Sequence, residues 1–302
     1  MIGILLLDKP LGMSSNQATQ RVRHLLGAGK AGHVGSLDPL ATGMLPICLG
    51  EATKIAGDIL AGRKKYQFTV KLGERTATGD TEGAVVESGT VPELMRSEVE
   101  AVLQRFVGVQ KQVPPMYSAI KKEGQPLYKL ARAGKEVERE AREIEIVELR
   151  LTGLEPAALQ LEALCSKGTY VRTLAEDIAK ALGTCGHVTA LRRSYVEPFD
   201  SRAMQTLEEI AREPCLLPAD YGVQHLPRVT MSAEAAARLT LGQAVAFEDQ
   251  ELRGRVRLYD DTGQFFGIGE ANAGQLWPRR LWAEGAASRI ARLAKRVVKT
   301  SI

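Results

Sequence analysis

Cysteine and histidine are scarce in this chain, and their scarcity limits the chemistry that it can perform. The 302 residues include four cysteines that form no CxxC pair and lie 20 or more residues apart, so neither a zinc knuckle nor a dithiol redox pair is indicated. The four histidines show no HxxxH or HxH spacing, which argues against a catalytic metal site. Any catalysis is therefore expected to depend on other side chains.

Long apolar runs are absent as well. No window approaches the roughly 18 consecutive apolar residues of a membrane-spanning helix, so no membrane association is expected. The opening MIGILLLDKP contains a short apolar run, but it lacks the basic flank and the small-residue cleavage site of a signal peptide. These absences predict a cytoplasmic protein.

The composition is that of an ordinary globular protein. The hydrophobic fraction is 44% and the charged fraction 25%, and the 29 glycines and 13 prolines are too few for a fibrous chain. The length favours one large domain and one smaller domain. Because 40 Lys and Arg residues stand against 36 Asp and Glu residues, the net charge of +4 permits an anionic partner only where basic residues cluster.

Strand-like and helix-like patterns are mixed along the first half of the chain. Residues 3–7 (GILLL) are typical of a buried strand, and an apolar stripe predicts a helix from about Ser15 to Gly27. Apolar residues at every second position from Tyr66 predict a strand with one buried face, so Tyr66 points towards a core or a cleft. Ser97 and Glu100 have the spacing of a capping box and predict a helix N-terminus there.

The second half continues the mixture. Strand-like segments near 144–151 and 159–165 precede a helical pattern that starts at Val171. Beyond Pro227 the run RVRLYDDTGQFFGIGE has the pattern of a hairpin with a turn at 261–263. Adjacent strands with interspersed helices indicate an α+β fold, with a small β-rich domain near the C-terminus.

The clearest candidate for chemistry is a carboxylate in the glycine-rich segment GHVGSLDPLATG. Asp38 directly precedes Pro39, which biases it towards an extended conformation. An aspartate in such a place is commonly only a turn former. However, His33 lies in the same segment and the chain offers no Cys pair, His cluster or metal alternative. A single catalytic carboxylate is therefore the simplest interpretation.

Several segments, in order along the chain, resemble one known family. The segments LLLDKPLGMSSN at 5–16, GHVGSLDPLATGMLPICLGEATK at 32–54 and CSKGTYVRTLAEDIAKALG at 165–183 resemble motifs of the tRNA pseudouridine-55 synthases, which isomerise a uridine in the T-loop of tRNA. KKYQFTVKLGERTATGDTEG, VPPMYSAIKKEGQPLYKLARAGKEVER and HVTALRRSYV are similar to further family blocks, and GIGEANAGQLWPRRL resembles the end of the family's C-terminal domain. The first six of these segments lie within roughly residues 1–200, and together the matches are specific.

This resemblance implies roles for individual residues. It makes Asp38 the catalytic aspartate, with Arg172 as its ion-pair partner. His33 would occupy the space beside the displaced base and Tyr66 would stack on the target base. Further residues that the resemblance places at the substrate are Tyr170, Leu191 and Lys9.

The resemblance also implies an architecture and partners. We expect a pseudouridine synthase fold with a central mixed, largely antiparallel sheet over residues 1–227, and a small β-rich RNA-binding domain over 228–302. Residues 121–142 resemble an insertion that embraces RNA, and their basic residues outnumber their acidic residues by three; a solvated, salt-bridged helix is the alternative. The isomerisation is redox-neutral and loses no group, so no cofactor is expected. The expected partner is tRNA, bound by a monomer that needs no protein partner, and the basic tail at 289–302 reads as an amphipathic helix or a frayed end.

Two other classes of protein remain open on the sequence. A non-catalytic tRNA-binding or folding module would use the same basic surface without needing Asp38. An aspartate-dependent hydrolase or phosphoryl transferase would ordinarily need a second carboxylate, for which Asp80 in ATGDTEG is a candidate, although that segment is equally typical of a turn.

Overall fold

The structure is a computed structural model that describes residues 1–59, 62–118, 120–122 and 124–282, so the tail expected at 289–302 lies outside the described residues. The strands, in chain order, are β1 (Gly3–Lys9), β2 (Ala31–His33), β3 (Ala41–Leu49), β4 (Lys64–Leu72), β5 (Glu74–Thr76), β6 (Val85–Ser88), β7 (Gly108–Gln112), β8 (Lys121–Lys122), β9 (Gln125–Pro126), β10 (Arg142–Glu155), β11 (Ala158–Cys165), β12 (Gly186–Val196), β13 (Arg228–Thr230), β14 (Val245–Ala246), β15 (Gly254–Tyr259), β16 (Phe265–Asn272) and β17 (Gln275–Leu281).

The α-helices, in the same order, are α1 (Ser15–Leu25), α2 (Ala56–Ile59), α3 (Arg96–Gln104), α4 (Leu127–Arg132), α5 (Val171–Ala181), α6 (Leu207–Arg212) and α7 (Ala233–Thr240). Short 3₁₀ helices cover Gly50–Ile55, Ser201–Ala203 and Ala219–Val223. No helix among the described residues is long and apolar enough to span a membrane.

Eight strands form the larger sheet, which follows the order β1-β3-β12-β4-β11-β10-β7, with β2 also paired to β3. Only β3 and β12 run parallel, and all other neighbours in this sheet are antiparallel. The expected mixed, largely antiparallel sheet of an α+β fold is thereby confirmed. Strand β4 has the predicted alternation, because its residues from Lys64 to Leu72 are buried at every second position.

The parallel pairing of β3 with β12 depends on a glycine. Gly43 lies opposite Arg193 and has a φ of +99°, which L side chains rarely adopt. A Cβ atom built at Gly43 would lie 2.3 Å from the carbonyl oxygen of Arg193, far closer than atoms can pack. The two backbones therefore approach closely at the point where the chain leaves the glycine-rich segment.

A five-stranded sheet, in the order β13-β15-β16-β17-β14, forms the small C-terminal part. The expected β-rich C-terminal part is thereby confirmed. It is not separated from the rest by an open linker. One buried apolar cluster contains Ile4 and Met44 of the large sheet together with Tyr259, Phe265 and Trp282 of the small one. The two parts therefore share a core.

One local expectation was wrong. Helix α3 begins two residues earlier than the predicted capping box, because the Glu98 carboxylate accepts the backbone N–H of Met95 at 3.0 Å and caps the helix there. Among the described residues of 121–142, only α4 is helical, and it follows the short β8–β9 pair, which does not fit the alternative of a solvated helix. That this segment embraces RNA stays a prediction.

Candidate active site

The loop that carries Asp38 is held at several backbone atoms. The Ser15 hydroxyl, at the start of α1, donates to the Leu37 carbonyl at 2.9 Å and accepts the Leu37 N–H at 2.7 Å. The Pro39 carbonyl accepts the N–H of Gly12 at 2.8 Å. The loop is thus fixed on both sides of Asp38. Because the backbone is already ordered, little conformational entropy is lost when this carboxylate engages another group.

Arg172 binds two carboxylates at once. Its Nη2 lies 2.9 Å from Oδ2 of Asp38, and its Nη1 lies 3.5 Å from Oδ2 of Asp80. The guanidinium also donates to two backbone carbonyls, that of Thr78 at 2.8 Å and that of Tyr117 at 2.7 Å. The expected pair of Asp38 and Arg172 is therefore present as a close contact, and a second acid joins it.

The two aspartates differ in access to solvent. The Asp80 side chain is only 3% exposed, and it accepts hydrogen bonds from the Thr78 hydroxyl at 2.5 Å and from the backbone N–H of Glu82 at 3.0 Å. The Asp38 side chain is 42% exposed, and its Oδ1 makes no hydrogen bond among the described residues. Asp80 is therefore a fixed buried anion, whereas Asp38 is partly exposed and keeps an oxygen without a hydrogen bond among the described residues.

The protein raises the pKa of Asp38. Burial of the carboxyl group is the largest cause, and the charge of Asp80 acts in the same direction. The charges of Arg172 and Lys9 oppose both, and the hydrogen bond from Arg172 also lowers the pKa. Arg172 thus counteracts desolvation and favours the anionic form that a nucleophile or a general base requires.

Tyr170 is the N-cap residue of α5, two residues before Arg172. The amide of Gln112 clamps it, because Oε1 accepts the Tyr170 N–H at 2.8 Å and Nε2 donates to the Tyr170 carbonyl at 3.1 Å. Burial raises the pKa of the Tyr170 phenol, and the charge of Asp38 contributes to this increase. The residue at 170 and the carboxylate at 38 therefore lie within electrostatic reach.

Tyr66 and Leu191 lie side by side in the sheet. Tyr66 pairs with Arg193 of β12, and Leu191 pairs with Phe68 of β4, so all four side chains share one sheet face. The Tyr66 ring is 8% exposed. Burial raises the pKa of its phenol, the charge of Arg193 lowers it, and the charge of Asp38 raises it further.

His33 ends β2 and is held as a neutral imidazole. The Thr19 hydroxyl donates its proton to the Ser15 carbonyl at 2.7 Å, so it accepts from Nδ1–H of His33 at 3.1 Å. Nε2 then accepts from the Ser36 hydroxyl at 3.2 Å. Burial, with a smaller contribution from the charge of Arg193, lowers the pKa of His33.

Lys9 is fully buried at the end of β1. Its ammonium donates to the carbonyls of Pro10 at 2.8 Å and Met13 at 2.6 Å, so it fixes the loop between β1 and α1. Burial lowers its pKa to about 8, while the charge of Asp38 acts in the opposite direction. In this structure Lys9 acts on the site through the loop and through its charge.

Sequence reasoning singled out neither Arg193 nor the full role of Asp80. The composition of ATGDTEG predicts a turn, and the segment forms one. The burial of Asp80, however, depends on contacts with α5, which lies about 90 residues further along the chain. Arg193 follows another arginine in HVTALRRSYV, and the strand alternation alone could have assigned the two to opposite faces. Which face is buried is decided by the neighbouring strands.

The site offers an exposed, partly desolvated carboxylate, a buried cation network behind it and two phenols nearby. Such a carboxylate can attack an electrophilic carbon or abstract a proton. The buried arginine and the second acid tune its pKa without occupying its free oxygen.

Comparisons with known proteins agree along the whole described chain. The profile described as "TruB family pseudouridylate synthase (N terminal domain)" matches residues 23–171. Two C-terminal profiles, "tRNA pseudouridylate synthase B C-terminal domain" and "Pseudouridine synthase II TruB, C-terminal", match residues 172–237 and 227–282.

Curated relatives match over almost their full length. The chain is 50% identical over 295 residues to the "tRNA pseudouridine synthase B" of Ectopseudomonas mendocina, which covers 94% of this chain and 96% of the relative. It is likewise 50% identical over 289 residues to the protein of that name from Nitrosococcus oceani, covering 92% and 94%. A solved structure of a Cbf5-Nop10-Gar1 complex contains a chain that is similar in fold, with a TM-score of 0.67, 24% identity and coverage of 89% of this chain and 78% of that one.

Proposed function

The chain belongs to the TruB family of tRNA pseudouridine synthases, and from this premise we propose that it isomerises uridine 55 in the T-loop of tRNA to pseudouridine. The observation that carries the proposal is the exposed Asp38 carboxylate, held in place by Arg172. A non-catalytic RNA-binding module would have no use for a carboxylate that is tuned in this way. The second acid, Asp80, is buried and ion-paired, which disfavours the alternative of a two-carboxylate hydrolase.

The isomerisation breaks the bond between C1′ of the ribose and N1 of uracil and forms a bond between C1′ and C5. The hydrogen on C5 leaves and N1 gains one, so atoms and electrons balance without an oxidant or a cofactor. Ionised Asp38 serves this reaction as a nucleophile towards the sugar or the base, or as a base that removes a sugar proton. Each role uses the oxygen that Arg172 leaves free.

The base must leave the T-loop before it can react, and unstacking costs roughly a few kcal/mol. We assign His33 to fill the space that the base leaves, because it is a neutral imidazole in a glycine-rich segment to which RNA can come close. Tyr66, Tyr170 and Leu191 would receive the flipped nucleotide, with aromatic stacking worth about 1–3 kcal/mol per base.

Affinity for tRNA requires contacts with phosphates. We assign these contacts to the basic insertion at 121–142 and to the C-terminal domain at 228–302, with catalysis assigned to 1–227. The Tyr117 carbonyl, shortly before the insertion, accepts a hydrogen bond from Arg172. Because Arg172 also pairs with Asp38, the start of the insertion is connected to the acid through this arginine. A monomeric state and a cytoplasmic location are part of the same proposal.

The deciding experiment is isomerisation of a tRNA transcript labelled in its uridines, in excess chelator and with enzyme in excess. We expect pseudouridine at position 55 from the wild-type chain, none from a transcript with cytidine at 55, and none from Asp38→Asn. The Asp38→Asn chain should bind tRNA within about tenfold of wild type, because phosphate contacts supply most of the affinity. Product from Asp38→Asn, or activity that returns only with added metal, would contradict the proposal.

A further inference from the structure

Arg193 is a buried cation for which the described residues offer no carboxylate. Its side chain is among the largest that are fully enclosed, with 1% of the residue exposed, and none of the ion pairs among the described residues includes it. Instead, Nε donates to the Met44 carbonyl and Nη2 donates to the Gly35 carbonyl, each at 2.8 Å. A buried charge without an opposite charge is costly and needs another reason to be retained.

The surroundings of Arg193 are already positive. Burial, together with a smaller contribution from the charge of Arg193, lowers the pKa of two lysines, Lys9 and Lys64, each to about 8. The charge of Arg193 also lowers the pKa of His33. A guanidinium placed solely to stabilise the fold would be better paired with an acid, as Arg192 is in the same strand.

The two groups that Arg193 joins belong to the reaction site. Gly35 lies three residues before Asp38 in the loop that carries this acid, and its carbonyl is the acceptor for Nη2. Tyr66 lies directly opposite Arg193 in the pairing of β12 with β4, both side chains are buried on the same sheet face, and the guanidinium charge lowers the pKa of the phenol. The planar guanidinium therefore binds the Asp38 loop and strand β3 and lies beside Tyr66 of the neighbouring strand.

We propose that Arg193 is a positioning residue for the isomerisation, which fixes the Tyr66 hydroxyl relative to the Asp38 loop. The side chain is enclosed and does not reach substrate, so it acts through Tyr66 and through the Gly35 carbonyl. The proposal deepens the proposed function and rests on it. It predicts that loss of the guanidinium slows the chemical step and leaves tRNA binding largely unchanged.

The test is a double-mutant cycle between Arg193 and Tyr66, measured as single-turnover isomerisation of a tRNA transcript. Arg193→Met should lower the rate by about 100-fold, as expected for small displacements of reacting groups, with the dissociation constant for tRNA within about threefold of wild type. Arg193→Lys should recover part of the rate, since an ammonium keeps the charge but lacks the fork. In a Tyr66→Phe background the same Arg193→Met change should cost much less, because the hydroxyl that it holds is already gone.

Arg192→Met is the matched control. Arg192 is the neighbouring residue of β12, lies on the opposite sheet face and pairs with Asp8 through bonds of 2.9 and 2.7 Å. Its loss should leave the rate within about threefold in both backgrounds. Rates are divided by the folded fraction from circular dichroism, so that misfolding of Arg193→Met is not counted as a catalytic loss.

Several outcomes would overturn the inference. They are an unchanged rate in Arg193→Met, an equal loss with and without the Tyr66 hydroxyl, or a loss confined to tRNA binding. If Tyr66→Phe alone gives no product, the double-mutant cycle is measured on the free energy of unfolding instead. Additive effects of the two substitutions on that free energy would also refute the contact. Absence of pseudouridine from the wild-type chain would instead refute the proposed function.

Discussion

At the scale of single residues, the site is an electrostatic balance around one acid. Desolvation and the charge of Asp80 raise the pKa of Asp38, and Arg172 and Lys9 lower it. Because Arg172 contacts both aspartates, its removal leaves two carboxylates without their shared cation. The protonation state of Asp38 is therefore sensitive to substitutions at these neighbouring charged residues.

Arg172→Ala and Asp80→Asn should move the pH–rate profile in opposite directions. Loss of the guanidinium raises the pKa of Asp38 further, so a higher pH is needed to ionise it and the acidic limb moves to higher pH. Loss of the Asp80 charge lowers the pKa of Asp38, so the limb moves to lower pH. Single-turnover rates measured from pH 5 to 9, a range of about four units around neutrality, would show both shifts of the acidic limb.

Arg172→Lys should restore part of the Arg172→Ala shift, because an ammonium keeps the charge without the two-donor geometry. A rate that falls equally at every pH in Arg172→Ala would mean that the arginine orients groups without tuning the acid. Shifts in the same direction for both variants would contradict the balance described for Asp38.

His33→Ala should slow turnover on folded tRNA without changing how affinity depends on salt. The imidazole is neutral, held between Thr19 and Ser36, and so contributes no charge to phosphate binding. The slope of log affinity against log salt should therefore equal that of wild type, while the single-turnover rate falls. A reduced slope with normal turnover would show that His33 contacts the RNA backbone instead.

At the scale of elements, the contact of β3 with β12 brings the site together. The parallel pairing sets Gly43 beside Arg193, and β12 in turn pairs with β4, which carries Tyr66. The loop with Asp38 leads directly into β3. A change in the spacing of these strands would therefore displace the acid and the phenol relative to each other.

Gly43→Ala should destabilise the protein and lower activity together. The φ of +99° strains any L residue, and the added Cβ would meet the Arg193 carbonyl at 2.3 Å, so we expect a loss on the order of 3 kcal/mol in the free energy of unfolding. Chemical denaturation measures it. Gly57→Ala is the control, because Gly57 is an exposed glycine of α2 whose added Cβ meets nothing within 4 Å. It should be neutral or slightly stabilising; a loss as large as that of Gly43→Ala would contradict this explanation.

At the scale of the whole molecule, the C-terminal sheet is bound to the part of the chain that carries Asp38 by a shared core and by polar contacts. The Lys54 ammonium donates to the Leu281 carbonyl at 2.7 Å, and the Tyr259 hydroxyl donates to Asp220 at 2.5 Å. Arg255 pairs with Asp58 of α2. Deleting 228–302 would expose apolar residues of the large sheet, so the shortened chain should lose cooperative unfolding.

The contribution of the C-terminal domain to tRNA binding is better tested in the full chain. Arg238 and Arg280 are exposed there and form no ion pair among the described residues. Replacing both with alanine should weaken binding to full-length tRNA and reduce its salt slope by up to about two, while sparing reaction on a T-arm stem-loop. Glu234→Gln, at an exposed acid of α7, is the control and should not weaken binding. Equal loss on both RNAs would place these arginines at the T-arm.

The sequence by itself predicted the kinds of elements and singled out Asp38 as the candidate acid. The period of two from Tyr66 appears as the alternating burial of β4, and the stripe that follows Ser15 appears as α1, since local periodicity reflects which face of an element is covered. The helix start at α3 was misjudged, because a neighbouring glutamate, Glu98, offers an equivalent cap two residues earlier. The resemblance of motifs supplied Asp38 and Arg172, and the structure brings them to 2.9 Å.

Only the tertiary structure decided how that acid is tuned. Asp80 and Arg172 are 92 residues apart in the sequence, and Arg193 reaches Gly35 across 158 residues. No local pattern reports such distances, because burial and the charge of a neighbour depend on which strands pair. The same holds for the core shared by the two sheets: the apolar residues of β1 and of β16 are visible in the sequence, but their contact exists only once both sheets have formed.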